Sequence, residues 1–447
     1  MLVNGHKMIT KKIVFLLLLV GLQLSAQEKK WTLEECVDYA IKNNVSIKQS
    51  ELDLKTSNIE MLEAVGGFLP SVNANATYSV NTGASINPVT NQFQNETFKS
   101  FSASANSSIN LFSGLSNWRT LQRAKLSKIA NSYRLDKMKD DIALSVANSY
   151  LQILFNKEQL KVQKNQNVIT KDNLKRTEQL IEAGSVPAGD IYELQATDAT
   201  QEQQIISTEN ALLISKIALC QTLLIEDYAT FDISDEEIDL PLSNVSDESQ
   251  ATILAKAKES VKDVKIALSD VDLAKKSVQI SRSSYLPTLT GFIGYNTRWS
   301  ESTPLNFADQ LSLFDGTGIG LQLNIPILSG FRARAGVQRA KVSQQRAEYQ
   351  LKQSELDLER NVYQAYNDVI NAKKSYEAAT KTLEARNQAY NFSKERYDVG
   401  LLNAFDFSQS TNAFENAQSE VLRTKYDYIF RTKILEFYFG IPLIKQQ

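Results

Sequence analysis

The stretch Tyr397-Asp-Val-Gly-Leu-Leu-Asn-Ala-Phe-Asp406 interrupts a long run of helix-forming sequence with one glycine and closes on a carboxylate. It has an echo, Ile181-Glu-Ala-Gly-Ser-Val-Pro-Ala-Gly-Asp190, in which Gly184 and Asp190 stand 216 positions before Gly400 and Asp406. The same offset carries Ser113-Gly114 onto Ser329-Gly330, Gln122-Arg-Ala124 onto Gln338-Arg-Ala340 and Tyr150 onto Tyr366. Phe68-Leu-Pro-Ser71 answers Tyr285-Leu-Pro-Thr288 at an offset of 217. One residue of slippage over so many matches reads as a duplicated half, with repeat one over 27–226 and repeat two over 246–440.

Each half is expected to run helix, Leu-Pro switch, strand pair, Ser-Gly switch, very long helix, glycine turn and returning helix. Between Gly114 and Gly184 there is no glycine or proline, and Phe331 to Val399 is broken only by Gly336. Nearly 70 helical residues make a rod of roughly 100 Å, too long for a globule. The returning segments, about 190–225 and 403–439, are half as long, so the segments from Thr32 to Gly66 and from Ala251 to Ser284 are expected to cover the rest of each rod. The first of these opens on Thr32-Leu-Glu-Glu35, a capping box that satisfies free amides at a helix start. Pro70 and Pro287 lack an amide hydrogen and force the residue before them into extended geometry, so helix gives way to strand there.

Strands are expected at about 71–80, 100–112, 288–299 and 317–327. Val72, Ala74, Ala76, Tyr78 and Val80 alternate with Ser71, Asn73, Asn75, Thr77 and Ser79, and Phe101, Ala103, Ala105, Ile109 and Leu111 alternate with serines and asparagines. Leu289, Ile293, Tyr295 and Trp299 mark the third strand, and Ile319, Leu321, Leu323, Ile325 and Ile327 mark the fourth. Strands of about ten residues suit a tilted crossing of an outer membrane, and a soluble sandwich is the competing reading. Four strands cannot close a barrel, and an open edge in lipid leaves backbone groups unsatisfied, so membrane strands require an oligomer. Two chains give eight strands and a filled interior, and three give twelve and a wide lumen. Segments 81–99 and 300–315 are then the outward loops.

At the N-terminus, Lys7, Lys11 and Lys12 precede the apolar run Ile13 to Val20, and Leu24-Ser-Ala26 supplies small residues before Gln27. This reads as a signal peptide over 1–26, with no acylatable cysteine at position 27. Its removal takes His6, the only histidine, and three lysines, leaving the chain about five charges negative. Without histidine there is no triad and no His-ligated metal site, and no Gly-x-Ser-x-Gly elbow is present, so the chain reads as a non-enzyme without cofactors. Cys36 and Cys220 lack Cys-x-x-Cys spacing; a disulfide between them is open in an oxidising compartment. A mildly acidic chain without Lys/Arg clusters argues against nucleic acid.

Over essentially the whole mature chain these features resemble the TolC-like outer membrane efflux proteins. The resemblance rests on Trp31-Thr-Leu-Glu-Glu-Cys-Val-Asp-Tyr-Ala-Ile-Lys-Asn-Asn44, the paired Leu-Pro and Ser-Gly switches, and both glycine turns. It implies a mostly α fold with transmembrane β: long helical hairpins forming a periplasmic barrel, and four strands per chain in a twelve-stranded barrel of a homotrimer. It implies an outer membrane duct of a tripartite efflux or type I secretion system, with a periplasmic adaptor (membrane fusion protein) and an inner-membrane pump as partners. The turns at about 184–190 and 400–406 would be periplasmic tips, with Gly184, Ser185, Val186, Val399, Gly400 and Leu401 docking the adaptor. At the gate, Asp190 would bond Tyr397, and Asp406 would join a ring of carboxylates at the constriction. Gln409 stands where the family pattern has a second aspartate, and Leu402 where it has an arginine. The competing local reading makes Gly184 and Gly400 helix C-caps and Asp190 and Asp406 N-caps. The competing global reading is an exported coiled-coil scaffold without channel activity.

Overall fold

The computed structural model describes residues 30–86, 90–95, 97–235 and 244–441. The expected signal peptide lies outside them. In chain order the elements are β1 (Lys30–Trp31), α1 (Leu33–Asn43), α2 (Val45–Gly66), β2 (Ser71–Asn81), β3 (Ala84–Ile86), β4 (Phe93–Asn95), β5 (Phe98–Ser113) and α3 (Ser116–Glu182). They continue with α4 (Asp190–Leu223), β6 (Asp232–Ile233), α5 (Gln250–Ser260), α6 (Lys262–Arg282), β7 (Thr288–Ser300), α7 (Phe307–Leu313), β8 (Gly316–Asn324), α8 (Arg332–Asp398) and α9 (Ala404–Phe439). Both α3 and α8 are continuous helices of 67 residues. No described helix is long and apolar enough to cross a membrane. Two compact units result, one of Ser50–Asp136 with Lys262–Leu356, the other of Met1–Gln49, Lys137–Val261 and Asp357–Gln447.

The first unit holds an antiparallel sheet in the order β2-β5-β7-β8. Its register puts Ala74 opposite Ala105, Ala105 opposite Tyr295, and Ile293 opposite Ile319. Residues opposite each other share a face, so Val72, Ala76, Tyr78, Phe101, Leu289, Leu321 and Leu323 fall on one side. Asn73, Asn75, Asn106, Asn296 and Gln322 fall on the other. The apolar side is bare, with Val72 73% and Ile319 82% exposed. Among the described residues β2 and β8 are unpaired along their outer edges.

The last strand stops at Asn324, opposite Thr288, so Ile325 and Ile327 lie beyond the ladder. Pro326 has no amide to donate, and Pro287 ends the partner strand at the same level. Leu111 is the extra residue of a bulge, between the pairs Asn110–Thr290 and Phe112–Leu289. The connection after β7 folds into α7, capped by Asn306, whose Oδ1 accepts the Asp309 amide at 2.8 Å. Gln310, fully buried, secures this turn. Its Oε1 accepts the Ser300 amide, and its Nε2 donates to the carbonyls of Ser300, Thr303 and Leu305 at 2.8–3.2 Å. Phe307 lays its ring against Phe101 and Trp299 on the apolar side.

The helices of this unit bury Ala130, Val271 and Val278 and are also tied by polar contacts. Asn131 of α3 donates to Ser57 of α2, and Arg119 donates to the Gln279 carbonyl of α6 at 2.6 Å. Arg134 pairs with Asp270 at 2.5 Å. Apolar side chains are left over at seven-residue spacing, namely Leu52 and Ile59 on α2 and Val342, Tyr349 and Leu356 on α8, all exposed.

The second unit is built on a core of Cys36, Val37, Ala40, Val146, Tyr150, Ile153, Leu219, Leu223, Phe231, Ile233 and Ile429. The Thr32 hydroxyl accepts the Glu35 amide at 3.2 Å and the Glu35 carboxylate accepts the Thr32 amide at 3.1 Å, the reciprocal capping box. β1 and β6 pair in parallel, and Asp232 of β6 forms ion pairs with Lys157 of α3 and Lys216 of α4 at 2.8 and 2.9 Å. Cys36 and Cys220 are buried thiols not joined in a disulfide, and burial pushes the Cys220 thiol up to about 11. The helices read as continuous from Thr32 and from Ala251 are each broken by one extended residue. Asn44 (ψ 134) donates to the Thr222 carbonyl at 3.0 Å and accepts the Ser46 amide at 2.9 Å, and Val261 (ψ 134) is buried.

Candidate functional site at the hairpin tips

Both long helices end in the same way. Gly184 and Gly400 adopt φ of +71° and +75°, a conformation costly for any residue with a Cβ. The Ser185 amide donates to the Leu180 carbonyl at 2.9 Å and the Leu401 amide to the Arg396 carbonyl at 2.8 Å, each spanning a full turn back. The Gly184 and Gly400 amides close the inner bonds onto Ile181 and Tyr397. These are Schellman closures, so the C-cap role of both glycines is physically satisfied.

Beyond the turns the two hairpins differ. Asn403 is the N-cap of α9, its Oδ1 accepting the Asp406 amide at 2.8 Å while its Nδ2 donates to Asp406 Oδ2 at 3.0 Å. Asp406 is therefore the third residue of the helix and not its cap. Gly189 precedes α4 with no side-chain cap, and Asp190 does not cap its own helix. Asp190 Oδ2 instead accepts the Ala404 amide at 3.3 Å, placing a carboxylate at the positive end of α9.

Tyr397 is 2% exposed, and its hydroxyl lies 2.7 Å from Thr177 Oγ1. Thr177 spends its proton on the Asn173 carbonyl at 2.8 Å, so the phenol is the donor. No hydrogen bond joins Asp190 to Tyr397, and the bond implied by the resemblance gives way to Thr177 and to the Ala404 amide. Burial pushes the Tyr397 phenol above its usual range, opposed by the Thr177 bond and reinforced by the Asp190 and Asp398 charges. Tyr397 also stacks on Phe407 with centroids 4.6 Å apart and planes at 5°. Tyr390 continues the stack onto Phe407 and Phe414. Leu402 packs against this cluster, so the position where an arginine was expected seals an apolar core.

A row of polar bonds joins the two hairpins. Arg176 pairs with Asp398 at 3.2 Å, Thr197 meets Ser408 at 3.0 Å, and Gln201 donates to Glu415 at 2.7 Å. Gln166 donates to Gln418 and Gln159 to Ser419. Burial raises the Glu415 carboxyl, and Gln201 only partly offsets it. Asp406 and Gln409 are exposed, as are Gly184, Ser185, Gly400, Val399 and Leu401, with Val186 half-buried. Sequence reasoning missed Thr177, Asn403 and the aromatic stack. The stack had a signal in the seven-residue spacing of Tyr390 to Tyr397 and of Phe407 to Phe414.

An open-edged sheet with one apolar face, carried by helical hairpins, is the chain fold of outer membrane channels. The structure superposes on VceC, an outer membrane protein of Vibrio cholerae, with a TM-score of 0.78 at 15% identity, covering 91% of this chain and 96% of that one. On the CmeC outer membrane channel of Campylobacter jejuni the TM-score is 0.79 at 17% identity, covering 91% and 85%. In sequence it is 23% identical over 383 residues to the outer membrane protein TolC of Vibrio cholerae, covering 85% of this chain and 83% of that protein. The profile of the outer membrane efflux protein family matches twice, over residues 36–223 and 253–439. The chain belongs to the outer membrane efflux protein family, and it is an outer membrane transport protein.

Proposed function

We propose that this chain is the outer membrane channel of a tripartite efflux or type I secretion system, a passive export duct gated at the tips of its helical hairpins. The observation that carries the reading is the sheet, whose four strands end in two open edges below a bare apolar face. Each side chain such as Ile319 left in water forfeits about 1.5–3 kcal/mol, and each open edge in lipid forfeits more. Lipid against that face and further copies against the edges relieve both costs. Three copies closing twelve strands leave a lumen lined by the asparagine and serine face. The exposed stripes on α2 and α8 give the helices matching contacts between copies. The two family matches, 217 residues apart at their starts, support a duplicated unit.

The tips are the sites proposed for a periplasmic adaptor that couples the duct to an inner-membrane pump, with Val399 and Leu401, each 69% exposed, as apolar anchors beside Gly184, Ser185, Val186 and Gly400. Asp190, Tyr397, Asp406 and Gln409 are the proposed gate, with Tyr397 acting through Thr177 and Asp190 through the start of α9. The test is extraction from the outer membrane in detergent, measurement of oligomeric mass, and conductance in planar bilayers. A trimer that conducts is expected, and a monomer that stays soluble and passes no current would falsify the reading.

A further inference from the structure

The polar face of the sheet is nearly free of charge. Within the four strands only Lys99 and Arg298 carry a charge at neutral pH. Lys99 sits on the apolar side of the register, opposite Val80, and is paired with Glu301 at 3.0 Å. Arg298 pairs in register with Ser102, on the side of Asn106 and Asn296, so it is the one charge on the hydroxyl- and amide-lined face. It is exposed, and among the described residues it forms no ion pair. The acids of the adjoining connection are otherwise placed: Glu301 is taken by Lys99, Asp309 accepts from Asn306, and Asp315 makes no bond to Arg298. Its guanidinium carbon lies 5.7 Å from the centre of the Phe314 ring, near enough for the ring face to hold the cation in place. Position 298 is two residues from the end of β7, next to the α7 connection and away from the strand ends that join the helices.

A guanidinium stays charged at every physiological pH. Resting on the reading of this sheet as one third of a closed barrel with its polar face inward, we propose that Arg298 is a charge-selectivity residue of the pore. Three copies form a cationic ring at the mouth remote from the helices, in a wall otherwise neutral. The ring favours anionic over cationic solutes of equal size at that mouth. A hydroxyl and amide wall gives neutral polar cargo hydrogen-bond partners without discriminating by charge, so the ring is the only element of the sheet that sorts solutes by sign.

The test uses the full-length protein reconstituted in planar bilayers under a KCl gradient, with the chloride-to-potassium permeability ratio read from the reversal potential. In Arg298→Gln that ratio is expected to fall about twofold or more near 0.01 M salt, where the screening length is about 30 Å, and to change little near 1 M, where it is about 3 Å. Arg298→Lys keeps the wild-type ratio, and Asn296→Lys, one step along the same face, raises it. A conducting trimer whose ratio at low salt is unmoved by Arg298→Gln and by Asn296→Lys overturns the assignment while leaving the duct intact. A wild-type trimer that passes no current overturns the duct and this inference with it.

Discussion

The Tyr397 hydroxyl offers the sharpest separation between what the resemblance implies and what the structure contains. Removing it in Tyr397→Phe deletes one donor from a dry bond, since Thr177 is 0% and Tyr397 2% exposed. Thr177 keeps its own bond to the Asn173 carbonyl, so no donor is stranded, and the loss is about 0.5–1.5 kcal/mol. On the proposed gating, that is about a 2- to 12-fold rise in the open-to-closed ratio of the hairpins. Asp190→Ala removes the acceptor for the Ala404 amide at the start of α9 and costs about 0.5–2 kcal/mol by the usual scale of a lost helix cap. Asp190 raises the pKa of Tyr397 by acting on the phenolate, but at neutral pH the phenol is protonated and carries no charge for it to act on. In a double-mutant cycle read from open probability in planar bilayers, Tyr397→Phe and Thr177→Val should couple by most of the Tyr397 effect. Tyr397→Phe and Asp190→Ala should add to within about 0.5 kcal/mol. Coupling of ~1 kcal/mol or more between Asp190 and Tyr397, with none between Tyr397 and Thr177, would refute this bond assignment.

The two Ser-Gly switches should differ sharply on substitution by alanine. At Gly114 a Cβ would meet the Ser283 carbonyl and Leu286 Cβ at 2.8 Å, so Gly114→Ala should block native assembly, whereas Gly330→Ala, with open space and φ of +55°, should cost only about 1 kcal/mol in thermal unfolding. Acid should loosen the β1–β6 clasp: burial pushes Asp232 up, but its bonds to Lys157 and Lys216 prevail and hold it below the ordinary carboxylate value. Its stabilisation is thus present above about pH 3.9 and is lost as the pH falls through the lowered folded value. Melting curves between pH 2 and 7 should show Asp232→Asn already destabilised at pH 7 and with a shallower acid decline than the wild-type chain.

The sequence was most readable where one residue type determines one geometry. Alternation assigns Val72 and Ser71 to opposite faces without knowledge of any partner strand, and the lack of glycine and proline between Gly114 and Gly184 leaves a helix no place to stop. It was least readable where the decision lies with a distant partner. Thr177 is one of many helical threonines, and only packing brings it to a phenol 220 positions away. Asn44 and Val261 break their helices although Val261, a buried residue, has no breaking chemistry of its own. Leu402 looked like a missing arginine because position suggested a role, whereas its neighbours Tyr397, Phe407 and Phe414 make the site apolar.

The same chemistry explains why the contacts at the tips separate into two kinds. Within the second hairpin α8 and α9 are joined by the stack of Tyr390, Tyr397, Phe407 and Phe414, and Phe407 alone is 1% exposed. Truncating a buried aromatic of that kind costs about 3–5 kcal/mol, so splitting this hairpin is expensive. Between the hairpins, on the tip side of the apolar core that buries Ile429 and sets Phe155 against Tyr426, the contacts are polar: Arg176 to Asp398, Thr177 to Tyr397, Thr197 to Ser408, Gln201 to Glu415, Gln166 to Gln418 and Gln159 to Ser419, the neutral ones worth about 0.5–1.5 kcal/mol each. Glu415 makes that seam weaker still at neutral pH. Its carboxyl is raised by burial, so its contribution is complete below the unfolded value of about 4.3 and is lost as the pH rises through the raised one. At the tips the plane of least resistance therefore runs between the hairpins and not through the second, and Thr177 with Tyr397 lies on that plane at the point where the aromatic stack meets it.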